Sequence, residues 1–155
     1  MILPFLDRLR YSARKRRQDP THANGKYGED LAHRFLQHQG MIIAARNWKT
    51  RSGTAEIDIV AHEGPVVVCV EVKTRLSSSF GMPERAVDPE KRRKLMRAAA
   101  EYARRTDTPF DFMRFDVVSV MLTEPPQITY FRDAFRFRSE QTRASDYVAG
   151  SGLPN

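Results

Sequence analysis

Two short runs of apolar, mostly β-branched residues joined by a turn sequence constrain the fold of this chain more than any other feature. The sequence TAEIDIVAHEGPVVVCVEVKTR occupies residues 54–75, and its central HEGP stretch separates the two runs. Such runs on either side of turn-forming residues are typical of a β-hairpin. Because the runs are so apolar, we expect the hairpin to lie inside a sheet that is covered on both faces.

The charged residues of this hairpin follow a regular pattern. A hairpin that closes symmetrically about Glu63-Gly64 places Glu56 opposite Glu71 and Asp58 opposite Cys69. Successive side chains of a strand point to opposite faces of the sheet. The alternation therefore predicts a charged face and an apolar face, formed respectively by Glu56, Asp58, Glu71 and Lys73 and by Ile57, Ile59, Val70 and Val72.

Three carboxylates on one face of a strand pair repel each other, so a positive charge must compensate them. Lys73 is one candidate, and a divalent cation is the other, since Mg²⁺ prefers oxygen ligands. Acids that hold a metal, together with a lysine that steadies developing charge, are the equipment of metal-assisted phosphodiester cleavage. The alternative is that these side chains form cross-strand salt bridges on the solvated face of an amphipathic hairpin.

Asp58, followed across a short hairpin by Glu71-Val72-Lys73, resembles the D…(D/E)xK core of the PD-(D/E)xK nuclease superfamily. The wider chain resembles the bacterial YraN-like proteins, which are similar to archaeal Holliday-junction resolvases. The matching motifs span roughly residues 25–135 in the order of that family. They are GKYGEDLA (25–32), ARNW (45–48), EIDIVA (56–61), VEVKTR (70–75), FGMP (80–83), AVDPEK (86–91) and RFDVV (114–118).

The resemblance implies a divalent-metal-dependent DNA endonuclease that acts on branched or junction DNA, with Mg²⁺ or Mn²⁺ as cofactor. Resolvases cut two symmetric strands, so it also implies a homodimer on DNA. The implied catalytic residues are Asp58, Glu71, Lys73, Glu29 and Glu56, and the implied metal ligands are Asp58, Glu71 and the backbone carbonyl of Val72. The alternative function is a non-catalytic nucleic-acid-binding module that keeps a nuclease-like fold.

The pattern of the remaining chain predicts a single α/β domain with a mixed central sheet flanked by helices. The order helix–strand–strand–strand–helix–strand–strand is similar to that of restriction-endonuclease-like folds. Asn24 is the predicted cap of a first helix that stops at Gly40, and Asp88-Pro89 begins a second helix. A buried strand is expected within residues 110–122.

The two ends of the chain differ from this domain in composition. Residues 1–23 form a basic N-terminal arm, residues 24–137 the nuclease-like domain, and residues 138–155 a polar tail that we expect to be disordered. The small-residue loop 76–83 follows the candidate catalytic residues directly. It is interpreted either as a flap over the substrate or as a simple linker.

The chain is basic, with a formal net charge of +7. Positive charge is concentrated in residues 1–24 and 85–105, which flank the acidic hairpin, as expected of a protein that binds a polyanion. Cys69, the only cysteine, is expected to be buried and inert, and the absence of disulfides suits the cytoplasm. No apolar run reaches the about 20 residues of a membrane span. The candidate DNA-binding residues are Arg46, Arg51, Arg75, Lys91, Arg92, Arg93 and Arg97.

Overall fold

The computed structural model describes residue 10, residues 20–76 and residues 88–135. Within them the element order is helix, three strands, helix and two strands, which confirms the predicted single α/β domain. The elements are α1 (Pro20–His38), β1 (Ile42–Lys49), β2 (Glu56–Glu63), β3 (Val66–Arg75), α2 (Pro89–Thr106), a 3₁₀ helix (Phe110–Phe112), β4 (Met113–Met121) and β5 (Gln127–Phe135). Most of the predicted N-terminal arm and of the flap, and the entire predicted tail, lie outside the described residues.

The five strands form one mixed sheet in the order β1-β2-β3-β4-β5. β3 and β4 are parallel, and the other three neighbouring pairs are antiparallel. A parallel pair needs a crossover connection, and here α2 supplies it. The central strands are consequently the most buried, which explains the continuous valine run at the start of β3.

One helix covers each face of the sheet. Beneath α2 lies a cluster of buried residues that includes Ile57, Val60, Cys69, Leu95, Ala98 and Phe115. Beneath α1 lies a second cluster that includes Leu36, Ile59, Ala61, Val68, Val70 and Val118. Cys69 is fully buried as predicted, and burial raises the pKa of its thiol to about 12.

The hairpin is present, but its predicted strand pairing is wrong by two residues, because the turn lies one residue further along the chain. Val60 pairs with Cys69, and Glu63 pairs with Val66, so the turn consists of Gly64-Pro65 rather than Glu63-Gly64. Gly64 has a φ of 57°, a conformation that glycine adopts at no steric cost and that a two-residue hairpin turn requires. As a result, Asp58 does not pair with Cys69.

The two helices differ in how well their starts were predicted. α2 begins as expected, because the Asp88 side chain accepts a hydrogen bond of 2.8 Å from the Lys91 backbone N–H and Pro89 occupies the first turn. α1 instead begins at Pro20, so Asn24 is an interior helix residue and the predicted cap is wrong. No helix in the described part of the chain combines the length and hydrophobicity that a membrane span needs.

Two acids, Glu63 at the turn end of the hairpin and Asp116 on β4, form ion pairs with arginines. Asp116, which is fully buried, accepts hydrogen bonds from the Arg114 guanidinium at 2.9 Å and from the Asp133 backbone N–H at 2.8 Å. The Tyr130 hydroxyl also donates to Asp116. Glu63 bridges Arg114 and Arg132 at 2.7 and 2.6 Å, which lowers its pKa to about 2. Asp116 therefore anchors an arginine.

The close approach of α1 to β3 depends on Gly28. A Cβ atom built on Gly28 would lie 2.9 Å from the Cβ atom of Thr74 and 2.8 Å from its Cγ2, closer than carbon atoms pack. A Cβ on Gly25, three residues earlier in the same helix, would meet nothing within 4 Å. Gly28 therefore sets how closely α1 lies against the end of β3.

We expect Gly28→Ala to lower the free energy of unfolding by about 1–3 kcal/mol, the range found for overpacking. Gly25→Ala is the matched control and should raise it by about 0.5–1 kcal/mol, because alanine favours a helix interior. Urea denaturation of both variants measures the difference. Equal stabilities would show that α1 shifts without cost and does not depend on the contact with Thr74.

Candidate functional site

The alternation of β2 breaks at Asp58. Ile57 packs beneath α2, whereas Ile59 packs beneath α1, although a regular strand would place both on one face. Asn47, which lies at the same level of the neighbouring strand, has a positive φ of 47°. The predicted common face for Ile57 and Ile59 is therefore wrong, because the two strands are irregular at this level.

The irregularity brings Asp58 to the rim between β2 and β3. The paired residues of these strands end at Ile59 and Val70. Beyond this pair, the Val72 backbone N–H donates a hydrogen bond of 2.8 Å to Asp58 Oδ2. The Asp58 side chain, and not the backbone of β2, is the acceptor here. Asp58 is thereby held against β3 and is almost entirely buried.

Glu71, on β3, is the most buried acid of this cluster, with a side chain 2% exposed. The Lys73 ammonium lies 2.9 Å from its Oε1 atom, and the Lys91 ammonium lies 3.3 Å from its Oε2 atom. Burying a carboxylate costs free energy unless a charge compensates it. Two lysines from different elements provide that compensation.

Asp58 and Glu71 open into one cleft of ≈ 710 Å³. Its walls come from α1, from the ends of β2 and β3, and from the first turn of α2. The lining residues are Thr21, Asn24, Gly25, Glu29, Asp58, Glu71, Val72, Thr74, Arg75, Leu76 and Lys91. Three of the predicted acids, Glu29, Asp58 and Glu71, thus face the same space.

Glu29 is positioned from the edge of the sheet. Its Oε2 atom accepts a hydrogen bond of 3.1 Å from the Asn47 side-chain amide and lies 3.4 Å from the Arg46 guanidinium. Arg46 also pairs with Asp30 at 2.8 Å. Asn47, the residue with the positive φ, therefore contributes to the site directly, because its side chain connects β1 to Glu29 on α1.

The surroundings of Asp58 disfavour the ionised form of its carboxyl. Burial, followed by repulsion from Glu71, raises its pKa from 3.8 to about 7. The hydrogen bond from Val72 and the charge of Lys91 oppose this shift without cancelling it. More positive charge next to Asp58 would stabilise its ionised form.

The chemistry of these donors fits a divalent cation. Asp58, Glu71 and the Val72 carbonyl could supply hard oxygen ligands, and Glu71 Oε2 is buried without a hydrogen bond. In the described part of the chain no group of three or more His, Cys, Asp or Glu side chains is placed to hold a metal. Two carboxylates, Asp58 and Glu71, are thus the side-chain ligands available here, and Mg²⁺ commonly takes one or two carboxylates together with water and substrate phosphate.

Of the remaining predicted site residues, Arg75 lines the cleft and the others do not. Glu56 does not line the cleft; its half-exposed side chain pairs with Lys49 at 3.7 Å. Arg92 lies 5.3 Å from the centre of the Phe135 ring, and Arg51 is exposed on the turn after β1, where its backbone N–H donates to Glu101. Arg75 lines the cleft, and Arg93 and Arg97 are exposed on α2.

Sequence reasoning missed the proximity of Lys91 to the acids. Lys91 stays a predicted DNA-binding residue, but the sequence did not indicate that its ammonium lies beside Glu71. The helical phase contains the signal, because Lys91 stands four residues before the buried Leu95 and so shares the inward side of α2. Which acid it meets depends on how α2 lies across the sheet.

Comparisons with known proteins agree on one family. The model of the uncharacterised protein family UPF0102 matches residues 28–120. A UPF0102 protein from Solibacter usitatus is 50% identical over 134 residues, which cover 86% of this chain and all of the relative. A UPF0102 protein from Rhodococcus opacus is 44% identical over 115 residues, covering 73% and 96% of the two chains.

We expect Asp58→Asn to change how stability depends on pH. Because the folded-state pKa of Asp58 lies above its unfolded value, the native protein binds an extra proton, and its stability falls as the pH rises from about 4 to about 7. Asparagine does not titrate and still accepts from Val72. Relative to the parent, the variant should gain about 4 kcal/mol between pH 4 and pH 8 in chelator, because each unit of pKa difference corresponds to about 1.4 kcal/mol.

Urea denaturation at several pH values measures this difference. Asp111→Asn removes an exposed carboxyl outside the cleft and is the matched control. Parallel pH profiles for the Asp58→Asn variant and the parent would contradict a raised pKa of Asp58 in the folded protein.

Proposed function

The chain belongs to the uncharacterised protein family UPF0102, and from its cleft we propose that it is a divalent-metal-dependent DNA endonuclease. One observation carries the proposal: two buried carboxylates, Asp58 and Glu71, converge with two lysines at the wall of an open cleft. The family assignment agrees with the resemblance to YraN-like proteins. Membership of the wider nuclease superfamily is part of the proposal.

The proposed ligands of Mg²⁺ or Mn²⁺ are Asp58, Glu71 and the Val72 carbonyl. The bound metal would act as a Lewis acid on the phosphate and lower the pKa of a water. Asp58 is ready for this role, because a carboxyl with a pKa of about 7 gives up its proton easily when a cation approaches. Its hydrogen bond to Val72 fixes one oxygen and leaves the other for a ligand.

Lys73 is the proposed catalytic cation. Its ammonium lies 2.9 Å from Glu71 Oε1, and its side chain is 30% exposed, so it reaches from the buried acid towards solvent. A cation held there can orient a water or stabilise the additional negative charge of the pentavalent phosphate. Glu29 is the proposed supporting acid, because it faces the same cleft, whereas the supporting role predicted for Glu56 would require movement of a side chain paired with Lys49.

Affinity for DNA would come mainly from basic residues around the cleft. Arg75 lines it, and the exposed Arg93 and Arg97 project from α2, whose first turn supplies Lys91. Contacts of this kind bind the phosphate backbone without reading bases. A domain of this size has little surface for a long sequence, so we propose that it recognises the shape of branched DNA, as a dimer on DNA.

A non-catalytic nucleic-acid-binding module is the second candidate. It is favoured by the ion pairs of Glu71, since both oxygens of this acid already lie within 3.3 Å of a lysine ammonium. In that case the lysines would be permanent partners, and the cluster would only hold β3 and α2 together. The two candidates predict different behaviour towards metal ions.

We expect Asp58→Ala, Glu71→Ala and Lys73→Ala each to lower cleavage by at least about 100-fold, because each removes a group assigned to the metal or the transition state. DNA affinity measured in chelator should stay within a few-fold of the parent or improve for the acids. The substrates are a four-way junction, a flap, a single strand and a linear duplex, and cleavage is measured in Mg²⁺ and in Mn²⁺. The branched forms should be preferred.

Glu90→Ala is the matched control, since Glu90 is an exposed acid in the first turn of α2, paired with Lys94 at 3.0 Å. It should leave cleavage intact. Equal affinity for all four substrates, without cutting in either metal, would remove the endonuclease and leave the binding module. Equal loss of binding and cleavage in Asp58→Ala would contradict the assigned role of that acid.

The double variant Arg93→Ala with Arg97→Ala should bind duplex DNA less tightly and with a weaker salt dependence. Each phosphate contact contributes roughly 0.9 to the slope of log K against log[salt], so the loss of two contacts should flatten the slope by about two units. Titration at four salt concentrations measures it. Arg132→Ala is the control, because Arg132 pairs with Glu63 at the opposite end of the hairpin, and an unchanged slope in the double variant would mean that this face is only solvated.

A further inference from the structure

The two oxygens of Glu71 are compensated unequally. Oε1 lies 2.9 Å from the Lys73 ammonium, whereas Oε2 lies 3.3 Å from that of Lys91 and takes part in no well-directed hydrogen bond, although it is buried. Lys73 is two residues from Glu71 on the same strand, but Lys91 reaches across from another element. The second contact is therefore a charge attraction with poor geometry, which is the easier of the two to exchange.

The backbone of Lys91 is fixed at the start of α2. Its N–H donates to the Asp88 cap at 2.8 Å, which fixes the start of the side chain in the first turn of α2. The side chain then runs along the wall of the cleft and remains 28% exposed. A long, flexible side chain with a fixed root can move its charge by several ångströms without disturbing the helix.

The charges around Lys91 keep it protonated. Burial lowers its pKa, but attraction to Glu71 and to Asp58 outweighs burial and raises the pKa overall. The lysine thus carries a positive charge close to both acids, and all three residues line the cleft. A divalent cation that used Glu71 Oε2 would have to compete with this ammonium for the same carboxylate oxygen.

We propose that Lys91 is an exchangeable counter-ion: it compensates Glu71 in the metal-free protein and gives up Oε2 when a divalent cation binds. This inference rests on the proposed function and deepens it. The displaced ammonium stays in the cleft, where a DNA phosphate is the anion available to it. Lys91 is therefore a positioning residue whose two partners are Glu71 before metal binding and the substrate backbone afterwards.

The arrangement has two consequences for the protein. Without metal, the lysine reduces the repulsion between buried acids that would otherwise destabilise the end of β3. With metal, it raises the cost of binding, because an existing ion pair must break first. Metal affinity in the absence of DNA should consequently be weak in the parent and stronger when the lysine is neutralised.

The test is a titration of Mn²⁺ onto the full chain without DNA, followed by electron paramagnetic resonance of the free ion. Lys91→Gln should bind Mn²⁺ about tenfold more tightly than the parent, since an ion pair with a buried acid no longer competes. Lys91→Arg keeps the charge and should bind as weakly as the parent. Lys94→Gln, which removes a charge from the same helix at an exposed ion pair with Glu90, is the control and should change the affinity little.

A second readout guards against loss of structure. Lys91→Gln should have a lower melting temperature in chelator, and saturating Mn²⁺ should raise it more than it raises that of the parent. A merely structural lysine would give the opposite result, because a loosened site binds metal less tightly.

The inference is overturned if Lys91→Gln binds Mn²⁺ no more tightly than Lys94→Gln while the parent binds metal and cleaves DNA; the proposed function then survives alone. If neither the parent nor any variant binds Mn²⁺, the proposed function and the inference both fail. If Lys91→Gln gains affinity but no variant cleaves any substrate, the exchange is established and only the endonuclease is removed.

Discussion

The candidate functional site depends on the burial of two carboxylates side by side. Asp58 and Glu71 are 9% and 2% exposed, and their mutual repulsion contributes to a pKa of about 7 for Asp58. Such a pair costs free energy, and no single neighbour offsets it. Partners on two elements share the compensation: the Val72 N–H and Lys73 on β3, and Lys91 from α2.

Two other features of the cleft, the position of Asp58 and that of Glu29, depend on local departures from regular packing. The irregular stretch at Asn47 and Asp58 turns the Asp58 side chain to the rim, where Val72 can donate to it, and directs Asn47 to Glu29 on α1. The absence of a side chain at Gly28 lets α1 approach Thr74 closely enough for Glu29 to share the cleft. The chemistry of the cleft is thus built from irregularities in an otherwise ordinary sheet.

Sequence reasoning predicted what depends on local pattern. The hairpin, the burial of Cys69 and the Asp88 cap follow from residue types and spacing, and all are present. The predicted strand pairing was wrong because the turn is Gly64-Pro65. The predicted face for Ile57 was wrong because strict alternation assumes a regular strand. The contact between Lys91 and Glu71 depends on the angle at which a helix crosses the sheet, which no local pattern encodes.

If the charges of Asp58 and Glu71 served only the structure, their burial would cost free energy that apolar residues would not cost. Buried ion pairs can commonly be replaced by apolar residues of similar volume at no loss of stability, so they are weak evidence for a stabilising function. Here the charged cluster opens onto a cleft, while the apolar clusters beneath both helices already hold the sheet. Asp116, by contrast, is fully buried, and every contact described for it is with a partner fixed on β4 or β5. That comparison distinguishes Asp116, whose described partners all belong to the sheet, from Asp58 and Glu71, which line an open cleft.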